Sequence, residues 1–250
     1  MPSTKGKVLS EKDIRAFIKC SEFYHRGGTD EDPFGLLVVR EAVENVLILA
    51  LKDKLKDPLQ DIHGCLLRAI AKINQRQNLL EPQLNKYLSS CMIWLKDFFE
   101  IIDLKNYEVV IGPIEPTVIV SKTPIKLRLP GTLRSKKNQT IHSIAFTPYS
   151  SKHSILNDPL ILIRILLLKR FVKKHLQSNR PQVVLHLFAY TKSHNLEYYS
   201  IDSNSITKEH NFMLESILKG MEDGIHFPIL PCNYKCPFKQ NCFVGKMNVQ

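Results

Sequence analysis

The sequence predicts an α/β fold with a helical N-terminal region, and three observations carry that prediction. Apolar residues recur at helical spacing through most of the first hundred positions; short β-branched segments separated by prolines and glycines begin near residue 106; and the chain closes on a cysteine-rich tail. At 250 residues and 44% apolar composition, there is enough apolar surface for one large core or two modest ones. We read one domain over 1–250: a mainly helical region 1–105, an α/β core 106–225, and a tail 226–250 that packs back on the first helix.

Taken in order, Ser10-Glu11-Lys12-Asp13 has the form of a capping box, and Ile14, Phe17 and Ile18 follow at helical spacing, with Cys20 at the helix end. Phe34 to Leu51 reads as a long helix carried by Leu36, Val39, Val43, Val46, Leu47 and Ala50. The lysines between Leu51 and Pro58 mark a solvated helix end. From Leu59 to Phe99 the helical period continues, broken between Gln77 and Pro82. Cys65 and Cys91 fall on apolar faces and are expected to be packed core thiols.

Beyond residue 106, Tyr107–Ile111, Thr117–Val120, Ile125–Leu129 and Ile141–Phe146 read as neighbouring strands. In the third, Ile125, Leu127 and Leu129 alternate with Lys126 and Arg128, so one face is apolar and the other positive. A helix is expected over Asp158–Lys174, strands over Gln182–Tyr190 and Leu196–Ile201, and a last helix over Thr207–Met221 capped by Ser205 or Thr207.

The net charge of +11 at pH 7 favours polyanionic partners, nucleic acid first. The longest apolar run, Leu160 to Leu168, is interrupted by Arg164, so a membrane span is not expected. Charged residues begin at Lys5 with no apolar segment before them, which predicts no secretory signal and an intracellular, reducing compartment, cytoplasmic or nucleoid-associated. Cysteines there are ligands or core residues before they are disulfides.

Cys232, Cys236 and Cys242, with Pro237 after the second, are spaced so that their thiolates can converge on one centre. Cys20 is the nearest candidate in kind for a fourth ligand. Four thiolates suit a tetrahedral zinc or a four-iron cluster, and a set of free cysteines is the remaining option.

An early cysteine after a helix, a mixed sheet in the middle and a terminal C-x3-C-P-x4-C tail resemble the iron-sulfur branch of the PD-(D/E)XK nucleases, which includes the RecB-like CRISPR adaptation nucleases and the AddB nuclease domain. The resemblance implies a nuclease-like central mixed sheet flanked by helices, and a [4Fe-4S] cluster on Cys20, Cys232, Cys236 and Cys242, with zinc as the alternative. It also implies a metal-dependent active site, and that part is absent. The family's histidine falls at Arg40 or a neighbouring valine; its G-x-x-D is Gly131-Thr132-Leu133-Arg134; its D/E-x-K falls at Ala145 and Thr147; its Q-h-x-x-Y has no counterpart in Leu160–Leu166. Leu127 to Phe146 contains no Asp or Glu at all, and acidic oxygen ligands are what magnesium requires.

With this resemblance the sequence predicts an inactive nuclease-like protein that binds nucleic acid, DNA in preference, through a basic cleft as a subunit of a replication, recombination, transcription or packaging assembly. Two alternatives stand beside it: a metal-dependent exonuclease using Asp103, Glu108, Glu115 or Asp158, and a protein-interaction scaffold. The D-x-K string Asp103-Leu104-Lys105 precedes the first strand, the wrong place for the motif. Lys122, Lys126, Arg128, Arg134, Lys136 and Lys137 are expected along the substrate cleft, with Lys169, Arg170, Lys173 and Lys174 on the helix beside it. Tyr24, Phe34, Tyr149 and Phe171 are candidates for stacking on bases, and His142, His153, His186 and His194 are expected in core or surface roles.

Overall fold

The computed structural model of the protein describes residues 8–19, 33–56, 58–120, 122–147, 159–175, 182–190 and 196–224. Cys20, Tyr24, Tyr149, His153, Asp158, His194, Cys232, Cys236 and Cys242 lie outside the described residues.

A two-residue strand, β1 (Leu9–Ser10), runs directly into helix α1 (Glu11–Lys19). The expected capping box forms: the Ser10 amide donates to Asp13 Oδ2 at 2.8 Å, and the Asp13 amide donates to Ser10 Oγ at 3.2 Å. Helices α2 (Phe34–Leu51), α3 (Pro58–Gln77) and α4 (Glu81–Ile101) form a three-helix unit. Helix α2 is its centre. Apolar residues on nearly every side of it, among them Leu36, Val38, Val39, Ala42, Val43 and Leu47, are buried between α3, α4 and the sheet, as a helix without a polar face requires.

The break between α3 and α4 is made by Asn78 in the left-handed region (φ 52°), with the Asn74 side chain accepting from the Leu79 amide at 2.7 Å. Gln83 Oε1 then accepts from the Leu80 amide at 3.2 Å and caps α4.

The larger sheet has the order β2-β5-β6-β7-β8, built from β2 (Tyr107–Ile111), β5 (Thr132–Ser135), β6 (Ile141–Thr147), β7 (Val183–Tyr190) and β8 (Leu196–Asp202). Strands β2, β5 and β6 are antiparallel neighbours; helix α5 (Pro159–His175) then crosses over to place β7 parallel to β6; β8 returns antiparallel. A smaller sheet, order β1-β4-β3, pairs the hairpin of β3 (Thr117–Val120) and β4 (Thr123–Lys126) with β1, which runs parallel to β4. Helix α6 (Lys208–Glu222) follows a short helical turn and packs on α5. The protein is therefore a mixed α/β structure, two mixed sheets flanked by helices. Among the described residues no helix is long and apolar enough to cross a membrane.

Two elements escape the sequence reading, β1 and β5, and one strand is shorter than its pattern. The expected Ile125–Leu129 strand starts at Thr123 and its ladder stops at Lys126. Pro116, opposite, has no N–H to donate, so Leu127 only donates to the Pro116 carbonyl at 3.0 Å, and pairing resumes between Ile114 and Leu129. The alternation of faces survives this interruption: Ile125, Leu127 and Leu129 are fully buried while Lys126 is exposed.

Both faces of the large sheet are covered, so β6 and β7 are buried almost throughout, polar His142, Ser143 and His186 included. Ile141, Ala145, Leu185 and Leu187 face α1, α5 and α6; Ile144, Phe146 and Phe188 face the three-helix unit. Phe98 of α4 joins that second layer, its ring 4.7 Å from Phe188 and 5.9 Å from Phe146. At the entry to β5, Gly131 lets the chain approach α2, since a Cβ there would lie 2.5 Å from the Leu47 side chain. Cys65 and Cys91 are buried free thiols, as expected, and burial pushes Cys91 up to about 12. Phe34 and Phe171 are buried at 6% and 3% exposure, which removes them as base-stacking surfaces.

Candidate functional site

Where the mouths of α1, α2, α3 and α5 meet β4 and the last residues of β6, the packing leaves a cleft of about 650 Å³. Among the described residues its charged lining is Lys12, Arg15, Arg40, Lys72, Arg76, Lys126, Arg128 and Arg164 against Glu11, Glu41 and Glu115, eight cations to three carboxylates.

The geometry starts from helix α2. Glu41 and Glu44 are one turn apart on its face and only 7% and 4% exposed, although apart from Arg40 and Asn45 the rest of the helix is apolar. Buried carboxylates need cations, and two supply them. Arg128, two residues past β4, donates from Nε to Glu44 Oε1 at 2.8 Å and from Nη2 to Glu44 Oε2 at 2.6 Å, a bidentate fork. The same guanidinium lies 3.6 Å from Glu41 and 3.6 Å from Glu115. Lys72 of α3 donates to Glu41 at 2.6 Å, and Lys126 pairs with Glu115 at 2.6 Å. On the other wall, Arg164 of α5 forms a second fork with Glu11 of α1, 2.7 Å on each arm, and donates to the Arg128 carbonyl at 3.0 Å.

This pairing sets the electrostatics. The hydrogen bond from Lys126, with the charges of Lys126, Arg128 and Arg40 behind it, holds Glu115 below the usual carboxylate range. The hydrogen bond to Glu44 raises Arg128 further, against the opposing effect of burial. Every cleft carboxylate is engaged by a cation, and the cations are in excess. Among the described residues no group of three or more His, Cys, Asp or Glu side chains is arranged to hold a metal ion; where Glu41, Glu44 and Glu115 converge, the occupant is the Arg128 guanidinium.

The sequence-predicted basic residues separate. Lys126 and Arg128 line the cleft. Arg134 is on β5, 3.6 Å from Glu108 of the edge strand β2; Lys136 donates to the Lys105 carbonyl at 3.0 Å; Lys137 is in the β5–β6 turn. Lys122 sits exposed in the β3–β4 turn with φ 73°. Lys169, Arg170, Lys173 and Lys174 follow Arg164 along α5 by roughly 8–15 Å at 1.5 Å per residue, and the last two stand in its final turn, where cations oppose the helix dipole. None of these eight lines the cleft.

Six cleft cations, Lys12, Arg15, Arg40, Lys72, Arg76 and Arg164, were not among the expected binding residues; the available signal was Arg164 inside an apolar run, and Glu41 and Glu44 inside another. Of the positions where the resemblance would place an active site, Arg40 and Thr147 line the cleft, Ala145 is fully buried and Arg134 lies elsewhere. Among the described rival carboxylates, Asp103 closes a turn by accepting from the Lys105 amide at 2.9 Å, Glu108 faces Arg134, and Glu115 lines the cleft.

A second polar group is buried near the other end of β6. His142 Nδ1 and His186 Nε2 are 2.8 Å apart with the rings stacked, His186 Nδ1 is 2.7 Å from the Tyr198 hydroxyl, and Tyr107 meets His142 edge-on. Burial, and then the charge of His142, push His186 down to about 4; burial also lowers His142. This pair is a neutral core element, in keeping with the expected core role.

No protein-family model and no curated protein matches the chain. Among solved structures, the crystal structure of SSO0001 is similar over 92% of this chain and 95% of that one, at 12% identity and a TM-score of 0.35, too slight a likeness to carry an argument.

Two outcomes follow from these contacts. Arg128→Met leaves Glu44 buried without its fork and is expected to destabilise by about 3 kcal/mol in urea melts, most of it recovered in the double variant Arg128→Met/Glu44→Leu. The histidine pair must stay neutral in the fold, so its contribution is complete above pH 6.5 and lost as pH falls toward 4. Replacing both histidines by phenylalanine is expected to flatten the stability profile across that window.

Proposed function

We propose that this chain is a catalytically inactive, nuclease-like protein of the iron-sulfur PD-(D/E)XK type that binds nucleic acid, DNA in preference, as a subunit of a replication, recombination, transcription or packaging assembly. The observation that carries the reading is the cleft: eight cations face three carboxylates, and each of those carboxylates already has a cation on it. A surplus of partly exposed Lys and Arg along a groove is what phosphate contacts need, whereas magnesium needs carboxylate oxygens without cations between them. Arg128 stands among the carboxylates in the place a hard cation would require.

Cys20, Cys232, Cys236 and Cys242 would hold the cluster, or zinc in its place, as a structural clamp between the ends of the chain. Support comes from the segments leading to them. α1, whose last residue precedes Cys20, and α6, the last described helix before the tail, both pack on α5. Strand β4 pairs with β1 on one side, and its Thr123 hydroxyl donates to Glu222, the last residue of α6, at 2.6 Å. A centre joining two segments whose preceding helices pack on the same helix would stabilise by closing a very long loop.

Binding to a labelled oligonucleotide, followed against salt, tests the cleft. Affinity is expected to fall steeply as salt rises, and Arg40→Glu or Arg76→Glu is expected to weaken binding and lower the salt slope by about 1 for each phosphate no longer neutralised. Salt-independent or absent binding contradicts the reading, as does magnesium-dependent cutting that disappears with Glu115→Gln. For the metal centre, anaerobically purified protein is expected to carry iron and acid-labile sulfide in equal amounts, both absent from Cys236→Ser; zinc alone selects the alternative site.

A further inference from the structure

The outer strands of the two sheets are guarded unequally. An open strand edge is a row of unpaired N–H and C=O groups that recruits another strand, and proteins blunt it with short strands, bulges, prolines or lysines. β1 is two residues long; β3 is four, with the exposed Lys122 in its turn; β2 carries a register shift between Val109 and Ile111 and packs on α2. β8 has none of these guards. Its seven residues keep an unbroken register with β7, from Leu196 opposite Tyr190 to Asp202 opposite Val184, and include no proline or lysine. Among the described residues β8 is paired on that side only.

Charge selects the occupant of the other side. In a chain of net charge +11, β8 carries Glu197 and Asp202 and no cation. The two acids stand near its ends, about 17 Å apart at roughly 3.4 Å per residue. Phosphates are repelled there, and a second β8 would bring like charges to one seam, so a cationic strand is the matching partner. Between the acids, Tyr198 and Tyr199 are half-buried and held in place: the Tyr198 hydroxyl lies 2.7 Å from His186 Nδ1, and the Tyr199 hydroxyl donates to Glu197 at 2.7 Å. Ordered aromatic rings beside an open edge suit the β-branched side chains of an added strand.

We propose that the outer edge of β8 docks an extended segment of a partner protein, flanked by lysine or arginine, which joins the large sheet as a sixth strand. Main-chain hydrogen bonds supply its affinity, and Glu197, Asp202 and the two tyrosines supply the choice of sequence. No residue of β8 lines the cleft. The inference therefore stands apart from the nucleic-acid reading.

Hydrogen exchange of the full-length protein tests it, with two synthetic peptides of alternating threonine and valine, one ending in lysine at both ends and the other in glutamate. The lysine-ended peptide is expected to slow exchange of β8 amides, leave those of β1, β2 and β3 unchanged, and bind roughly tenfold tighter than the glutamate-ended one. Glu197→Lys is expected to narrow that preference about threefold without lowering oligonucleotide affinity. Equal binding of the two peptides, or no protection of β8, overturns the inference. So does protection of β8 by an oligonucleotide, or by self-association of the protein alone, which would make a second copy the occupant. Loss of oligonucleotide binding overturns the cleft reading and leaves this one standing. If Glu197→Lys does not fold, the two peptides on the unaltered protein decide.

Discussion

Two carboxylates inside an apolar helix govern this structure. Glu41 and Glu44 sit on α2, the helix most thoroughly surrounded by protein, and are nearly removed from water. Their charge is tolerable only with cations at hydrogen-bond distance, so Arg128 beyond β4 and Lys72 of α3 are fixed opposite them. Those contacts join the three-helix unit to the segment carrying the small sheet. Arg164 continues the chain of contacts, with one fork on Glu11 and one arm on the Arg128 carbonyl, and so ties α1 and α5 to the same seam.

The cleft is a consequence of that seam. Side chains that hold the walls together also determine what the walls attract: their carboxylates are answered from within the protein, and the excess of cations over carboxylates among the described lining residues gives the groove its sign. The sheet contributes part of the floor. Because β6 and β7 are covered on both faces, little of the sheet reaches the opening: Phe146 and Thr147 at the end of β6 and Leu187 of β7 line it, beside apolar and charged side chains of the surrounding helices.

Much of the fold was legible in the sequence because it depends on local rules. The bounds of α2, the corner between α3 and α4, the capping box at Ser10 and the two faces of β4 all follow from period, caps and alternation. What escaped is non-local. β5 is four residues long and abuts a glycine, and β1 is two residues that become a strand only by pairing with β4, more than a hundred positions away. The same distinction separates the site residues. Lys126 and Arg128 were visible through strand alternation, but Lys12, Lys72 and Arg76 come from helices whose mutual approach no sequence pattern states. Charges inside apolar runs, Glu41, Glu44 and Arg164, were the readable sign that a buried ionic seam must exist. The pairing of His142 with His186 depends on the parallel register of β6 and β7, and nothing in either strand encodes it.

The central claim is that the cleft carboxylates are already neutralised by the protein's own side chains. Titration with Mn2+, with free ion read by electron paramagnetic resonance, measures this directly. The account predicts no stoichiometric Mn2+ binding that depends on Glu41 or Glu115. One tight equivalent, abolished by Glu41→Gln or Glu115→Gln, would show that those oxygens remain open to a hard cation and would contradict it.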